Sequence, residues 1–473
     1  MLRRLFLIFG YFCGVTAIVG VTVGLVAYGN DYSYDFASRS IIQNGHVIIE
    51  SLPTGLRVTA DGKTLTKRTP YRTAYKVGDH SFSLEKNGFW SWQKTLRVVA
   101  GRVALANYVV MVPKQPIENV LDSRTDIVAQ SISKDHRHLA FITGGLDAAL
   151  YTLDLGNRKI QKIYTPKAAT VPVVPSTAPA TPKEILRDTA WSDDASHLLI
   201  MSDIASVPQH RLATPGSSSD PVDLTQVYGF NFTGLHFSGS NWRQLYWISP
   251  DGLRRLDVGS ATVSGVLAEK VIQFWTESDR VLYVQQTESG RSLWSLDNGG
   301  KKQELIQALV ESGSYSVSQT RYNGADELIV VPAKTGIATL YTDIYGDKPE
   351  SKVLAKDVAN ATFSPDGRLL ALSSATTISV YDLERSQLEQ AFIMYSISDQ
   401  PGKLSVLTWF DENHLLSNRE GQLYWSEFDG ANRVDLGKIL STLPAYADPD
   451  AKGIVQFRPS DTEVKIIQVQ IRQ

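Results

Sequence analysis

Eight histidines, at positions 46, 80, 136, 138, 197, 210, 236 and 414, are the side chains best suited to metal or acid–base chemistry. Only His136 and His138 are close neighbours. Two residues apart on a strand, they would share a face, and Asp135 would add a third donor for a metal. Their place just before a hydrophobic strand instead favours a solvated turn, so no metal site is expected. No Gly-x-Ser-x-Gly elbow presents a nucleophile. No Walker or dinucleotide fingerprint follows a strand. Ser364-Pro365-Asp366-Gly367 and Ser249-Pro250-Asp251-Gly252 offer carboxylates, but they read as repeated turns. Neither a catalytic residue nor a cofactor is therefore expected.

Two other groups suit recognition. Phe89, Trp90 and Trp92 alternate with small residues at a turn, where exposed rings could stack on sugars. The competing role for at least one of them is to fill a core. Lys67 and Arg68, with Arg72 and Lys76, form a basic stretch that could meet anionic wall polymer or lipid head groups, or lie in a solvated loop. Of the 9 tryptophans, Trp191, Trp275, Trp294, Trp409 and Trp425 fall at strand positions and suit packing between repeated units.

These residues need a large scaffold. The 473 residues are enough for two or three domains. The 47 basic and 49 acidic residues give a net charge of −2, against a nucleic-acid partner. The single cysteine, Cys13, lies in an apolar run, so the body folds without disulfides.

That run, Leu5 to Tyr28, carries no charge. About 24 helical residues at ~1.5 Å each span ~36 Å, enough for a ~30 Å hydrocarbon core. A cleaved signal peptide would have a shorter apolar region and an Ala-x-Ala-like exit; this run leaves through Val26-Ala27-Tyr28-Gly29. Arg3 and Arg4 precede it, while Asp31 and Asp35 follow. The spacing predicts an uncleaved single-pass anchor over 1–28, with a cytoplasmic N-terminus and an extracytoplasmic body. Gly10-x-x-x-Gly14 and Gly20-x-x-x-Gly24 also fit a seam between two such helices, and so a homodimer; their simple frequency in membrane helices is the plainer account.

Residues 29–45 read as a polar stalk. Over 46–115, about six short strand-like runs are separated by turn signals such as Asp61-Gly62 and Asn87-Gly88, which predicts a small β-sandwich. The order Pro53-x-Gly55, Val58, Asp61-Gly62-Lys63, Thr69-Pro70, Gly78-x-His80, Gly88-Phe89 and Gly101 resembles the PEGA domain family. The resemblance implies an extracytoplasmic β-module of the kind attached to membrane anchors. This chain departs from the family pattern at Pro53-Thr54-Gly55-Leu56 and at Lys67.

From residue 116 onward a pattern recurs about every 40 residues. Its clearest copy is Asn360–Leu388: strand, Ser-Pro-Asp-Gly turn, strand, turn, strand ending in Asp382. In that turn Pro presets φ, Asp bonds back to the backbone and Gly takes the left-handed position. The period predicts a β-propeller over 116–473 with seven or eight blades. Pro116–Leu121 or Glu463–Gln470 would close it. The copies resemble the WD40-like or TolB-type repeat without the Gly-His and Trp-Asp signature. The Pro/Ala/Thr-rich stretch at 165–185 reads as an insertion between blades, and 208–221 as a second loop.

An all-β body on a membrane helix, with no catalytic constellation, leads to the expectation of a non-enzymatic cell-envelope protein. Its propeller would bind or scaffold an envelope protein or cell-wall polysaccharide. The alternative is a propeller-type glycan hydrolase or lyase, with acids or a histidine converging on the central funnel. A sensor that signals through partner membrane helices is a third reading.

Overall fold

A computed structural model describes residues 2–35, 39–145, 147–166, 183–239, 241–277, 279–398 and 401–472. The chain divides into two compact units, Met1–Pro116 with Ile471–Gln473, and Ile117–Gln470.

The first unit opens with a 28-residue helix, Leu2–Gly29. Its stretch Phe9–Gly29 is long and apolar enough to cross a membrane, and none of it is buried in the protein. Within the stretch expected as a polar stalk, Tyr32–Asp35 pairs with Ser40–Gln43 as a two-stranded antiparallel hairpin. A sandwich follows. One sheet pairs Tyr71–Tyr75, Gly45–Leu52 and Val103–Val110; the other pairs Lys63–Arg68, Arg57–Ala60, Gly78–Glu85 and Trp92–Val98. Alternation along Gly45–Leu52 sends Val47 and Ile49 inward, where they pack with Val58, Phe82, Leu84 and Trp92.

Two motif fragments of this sandwich turn out to be one contact. Asp61 adopts φ 47° beside Gly62 at φ 75°, as a tight hairpin requires. Its carboxylate accepts from His80 Nδ1 at 2.7 Å and from the Ser81 N–H at 2.9 Å. The His80 bond, followed by that of Ser81, holds the Asp61 carboxyl below its ordinary range. Buried Thr69, in the Thr-Pro motif, accepts from the Leu56 N–H at 3.0 Å and shares a 2.7 Å hydrogen bond with Ser51.

In the second unit, eight sheets of four or five strands follow one another among the described residues. Blades 1 to 7 occupy residues 129–164, 185–223, 233–269, 271–309, 315–355, 360–397 and 404–438. The eighth combines Tyr446–Ala447, Gly453–Pro459 and Val464–Gln470 with Glu118–Arg124 from the start of the unit. Both segments expected to close the ring therefore do so, by pairing with each other. Arg458, on Gly453–Pro459, makes two bonds to Glu118 of the N-terminal segment, at 2.8 and 2.9 Å. Apolar clusters join neighbouring blades from 1 through 6. Blade 1 meets blade 8 through Leu139, Phe141, Val455 and Phe457. Hydrogen bonds span the remaining seams: Trp409 Nε1 to the Thr362 carbonyl at 3.3 Å, and Thr408 Oγ1 to the Ala445 carbonyl at 2.9 Å. Among the described residues, these seams join eight blades in sequence and bring the eighth against the first.

The repeated turn has a common geometry. Ser133, Ser192 and Ser364 each donate from Oγ to the aspartate two residues on, at 2.6 Å. That aspartate accepts a backbone N–H at 3.1 Å in all three. The left-handed position is filled by His136, Ala195 and Gly367. Ser249–Gly252 differs: it joins the second and third strands of blade 3, with Ser249 paired to Gly252. There Gly252 has φ 142°, and a Cβ would stand 2.1 Å from the Ala268 carbonyl oxygen. The expected insertion at 165–185 lies largely outside the described residues. The first half of the expected loop at 208–221 is strand: Val207–Ala213 pairs with Leu198–Ile204 through a tight turn in which Ala205 and Ser206 both have positive φ, 49° and 66°.

Candidate binding cleft between blades 5 and 6

In blade 5 the strands Ala325–Pro332, Ala338–Thr342 and Glu350–Ala355 run side by side. Ile329 pairs with Leu340, Leu340 with Lys352, and Thr342 with Glu350. Period-two alternation then places Glu327, Ile329 and Val331 on one face with Leu340 and Thr342. Ile329, Val331 and Leu340 pack against Leu370, Leu372, Tyr381 and Leu383 of blade 6. Glu327 continues this apolar row as a carboxylate.

Where the row ends, a cleft of about 310 Å³ opens. Glu327, Thr342, Glu350, Lys352, Tyr381 and Ser386 contribute to its lining, with Leu340 and Leu383 supplying apolar wall. Glu327 is only 1% exposed. Its Oε2 accepts from Thr342 Oγ1 at 2.8 Å, while Oε1 has no hydrogen-bond partner. Leaving such an oxygen buried and unpaired costs about 1–3 kcal/mol. Burial, aided by the nearby Asp343 and Asp326 charges and opposed by the Thr342 bond, pushes the carboxyl up to about 6. Lys352 does not reach it. Its ammonium lies over the rings of Phe392 at 4.6 Å and Tyr381 at 5.4 Å. Sequence reasoning missed this site, because one acid at the head of an apolar strand looks like an ordinary strand edge.

The residues singled out from sequence lie elsewhere and do not converge. Phe89 and Trp92 are in the sandwich core, not on the surface. An isolated bridge from Phe89 to Pro113 precedes the strand that begins at Trp92, so the simple alternation is broken. Trp90 is 48% exposed, with Lys114 Nζ 5.6 Å from its ring centroid. Lys67 and Arg68 are exposed, but both are bonded locally: Lys67 to Thr73 Oγ1 at 3.1 Å and Arg68 to the Gly55 carbonyl at 3.0 Å.

His136 and His138 are drawn apart. His136 Nδ1 bonds the Ala447 carbonyl at 3.0 Å across the closing seam, whereas His138 lies against Trp191 of blade 2. Among the described residues no three His, Cys, Asp or Glu side chains are grouped to hold a metal. Neutral groups link the first strands of neighbouring blades: Gln130 to the Tyr446 hydroxyl at 2.6 Å, Gln273 to the Tyr315 carbonyl at 2.9 Å, and Trp191 to the Ser131 carbonyl at 3.3 Å.

Residues 44–111, spanning both sheets of the sandwich, match the PEGA domain. No curated protein matches the sequence. Among solved structures, the Dos1 propeller is similar at 14% identity with a TM-score of 0.47, over 75% of this chain and 95% of that one. The complex of KlAtg21 with the coiled-coil of AgAtg16 gives 10% identity and a TM-score of 0.43, over 64% and 94%. Hsv2 from Kluyveromyces lactis gives 12% and 0.38, over 61% and 99%. These are likenesses of fold alone; the ring itself rests on the strand pairing and seams described above.

Proposed function

Since the chain carries an apolar N-terminal helix, a PEGA domain and a β-propeller, we propose that it is a single-pass cell-envelope receptor. Its propeller stands outside the cytoplasm and binds an envelope protein. Arg3 and Arg4 before the apolar stretch of the helix and Asp31 after it support this orientation. The observation that carries the binding reading is Glu327: a buried carboxylate with one unpaired oxygen in a cleft between two blades. Glu350 and the charges of Asp326 and Asp343 make the surroundings acidic overall against the single Lys352. The walls formed by Leu340, Leu383 and Tyr381 suit an aliphatic stem. Together they fit a lysine or arginine side chain presented by a partner protein, which seats its head at the carboxylate by turning the Glu327 and Lys352 side chains.

Titration of the full chain in nanodiscs tests this. The probes are short peptides carrying one Arg or Lys, and the same peptides with citrulline or norleucine instead. The charged peptides bind roughly 10–100-fold more tightly than the neutral ones, as one desolvated charged hydrogen bond implies. Glu327→Gln removes the difference, and affinity falls as pH drops through about 6, where Glu327 takes up a proton. Equal binding of charged and neutral peptides, or unchanged discrimination in Glu327→Gln, would refute the assignment.

A further inference from the structure

Blade 6 departs from other blades beside the cleft. In blades 1, 4 and 7 a tight turn joins the third and fourth strands. There Asp154, Asp297 and Glu427 donate their N–H groups to the carbonyls of Lys159, Lys301 and Ala431, at 2.9, 3.0 and 3.1 Å. In blade 6 the corresponding bond runs from Asp382 to Ile393, at 3.1 Å, and the helix Leu383–Glu389 fills the interval. Ser386 of that helix fixes the returning chain. Its carbonyl accepts from the Ala391 N–H at 3.2 Å, and its Oγ from the Ile393 N–H at 3.1 Å. Phe392 is held between these two bonds, 48% exposed. The core does not need this ring. It lies 5.4 Å from the ring of Tyr381, and the Lys352 ammonium sits over both.

Lys352 has a second seat within reach. It pairs with Leu340 while Glu350 pairs with Thr342. Lys352 is thus the diagonal neighbour of Thr342, which bonds Glu327. Both Lys352 and Glu327 line the cleft, yet Glu327 Oε1 is unpaired. The two seats differ in hydration. Pairing with buried Glu327 strips water from the ammonium, which offsets much of the attraction. Over the rings exposed Lys352 keeps water on its far side and still gains the pull of two aromatic faces.

We propose that Phe392, with Tyr381, holds the Lys352 ammonium off Glu327 and so keeps the cleft open to an incoming cation. Phe392 is then a positioning residue, and the helix that presents it serves the cleft. The consequence for affinity rests on the binding reading above; the seat itself does not. The charged and titratable groups about Glu327 are Asp326, Asp343, Glu350 and Lys352 of blade 5 and Tyr381 of blade 6. Lys352 alone among them is a cation, so its position sets how Glu327 titrates.

The test introduces Glu327→Gln into four backgrounds of the full chain in lipid vesicles: unchanged, Lys352→Met, Phe392→Leu, and Phe392→Leu with Lys352→Met. Urea midpoints are compared at pH 7.5. Glutamine raises the midpoint in the unchanged chain, and by the same amount in Lys352→Met. The rise disappears in Phe392→Leu, where Lys352 has moved onto the carboxylate, and returns when Lys352→Met is added. An equal rise in all four overturns the proposal. So does a larger rise in Lys352→Met than in the unchanged chain, which would show the lysine already on Glu327; this comparison needs no change at position 392. The arginine peptide binds Phe392→Leu about 3–10-fold more weakly than the unchanged chain, and adding Lys352→Met restores it. Midpoints that follow the expected pattern with a peptide that binds none of the chains leave the positioning role standing and refute the binding reading alone.

Discussion

Replacing Glu327 with glutamine stabilises the propeller at pH 7.5 and hardly changes it at pH 4.5. The carboxyl titrates near 6 in the folded chain against an ordinary value of 4.5. A group raised in this way contributes its full stability below the unfolded value and loses it as pH rises through the folded one. Above pH 6 the fold therefore carries a buried charge at a cost of about 2 kcal/mol. Glutamine still accepts from Thr342 and carries no charge, so a gain of about 1–2 kcal/mol is expected at pH 7.5. Urea unfolding followed by tryptophan fluorescence at both pH values measures it. A loss of stability of equal size at both would mean that the carboxylate serves the fold. A gain in stability accompanied by lost peptide discrimination is the signature of a residue kept for binding at the fold's expense.

Arg211→Met is expected to cost about 3–5 kcal/mol, the largest loss foreseen for any single change outside the hydrophobic core. Arg211 is buried between blades 1 and 2 and pairs with Glu184, which is buried too. It also bonds Asp223 at 3.0 Å and lies against the ring of Tyr164. Glu184 accepts from the Tyr164 hydroxyl at 2.6 Å and from Ser202 at 2.5 Å. Removing the guanidinium leaves the Glu184 carboxylate buried with only two neutral donors. The double change Glu184→Leu with Arg211→Met removes both charges and is expected to recover most of the loss, because a buried pair is seldom worth more than apolar packing of the same volume. A double-mutant cycle in urea tests the coupling; purely additive losses would refute it. The network links Tyr164, which ends blade 1, to Glu184, which precedes blade 2. It ties together the two flanks of the Pro/Ala/Thr-rich segment, so the ring stays continuous across it.

Where function and fold coincide in a short motif, the sequence was legible. Ser364-Pro365-Asp366-Gly367 marks its turn because Ser, Asp and Gly each satisfy a separate backbone demand at fixed spacing. Asp61-Gly62 and Gly78-x-His80 were visible as motifs, although nothing in the sequence says that Asp61 and His80 touch. The pairing of Tyr32–Asp35 with Ser40–Gln43 was not visible, since each strand has only four residues, too few for a pattern to stand out. Ser249–Gly252 carries the motif of one blade position and occupies another, because strand order depends on pairing with distant neighbours. Glu327 was hidden for a similar reason. Its inward direction follows from its phase with Ile329 and Val331, and the space before it exists only once blade 6 has packed alongside.

Protease accessibility of the propeller in spheroplasts tests the proposed topology most directly. Protease added from outside should degrade residues 117–470 and leave a membrane-bound N-terminal fragment that contains Phe9–Gly29. Full protection of the propeller in spheroplasts, with digestion only after lysis, would place the body on the cytoplasmic side and contradict the assignment.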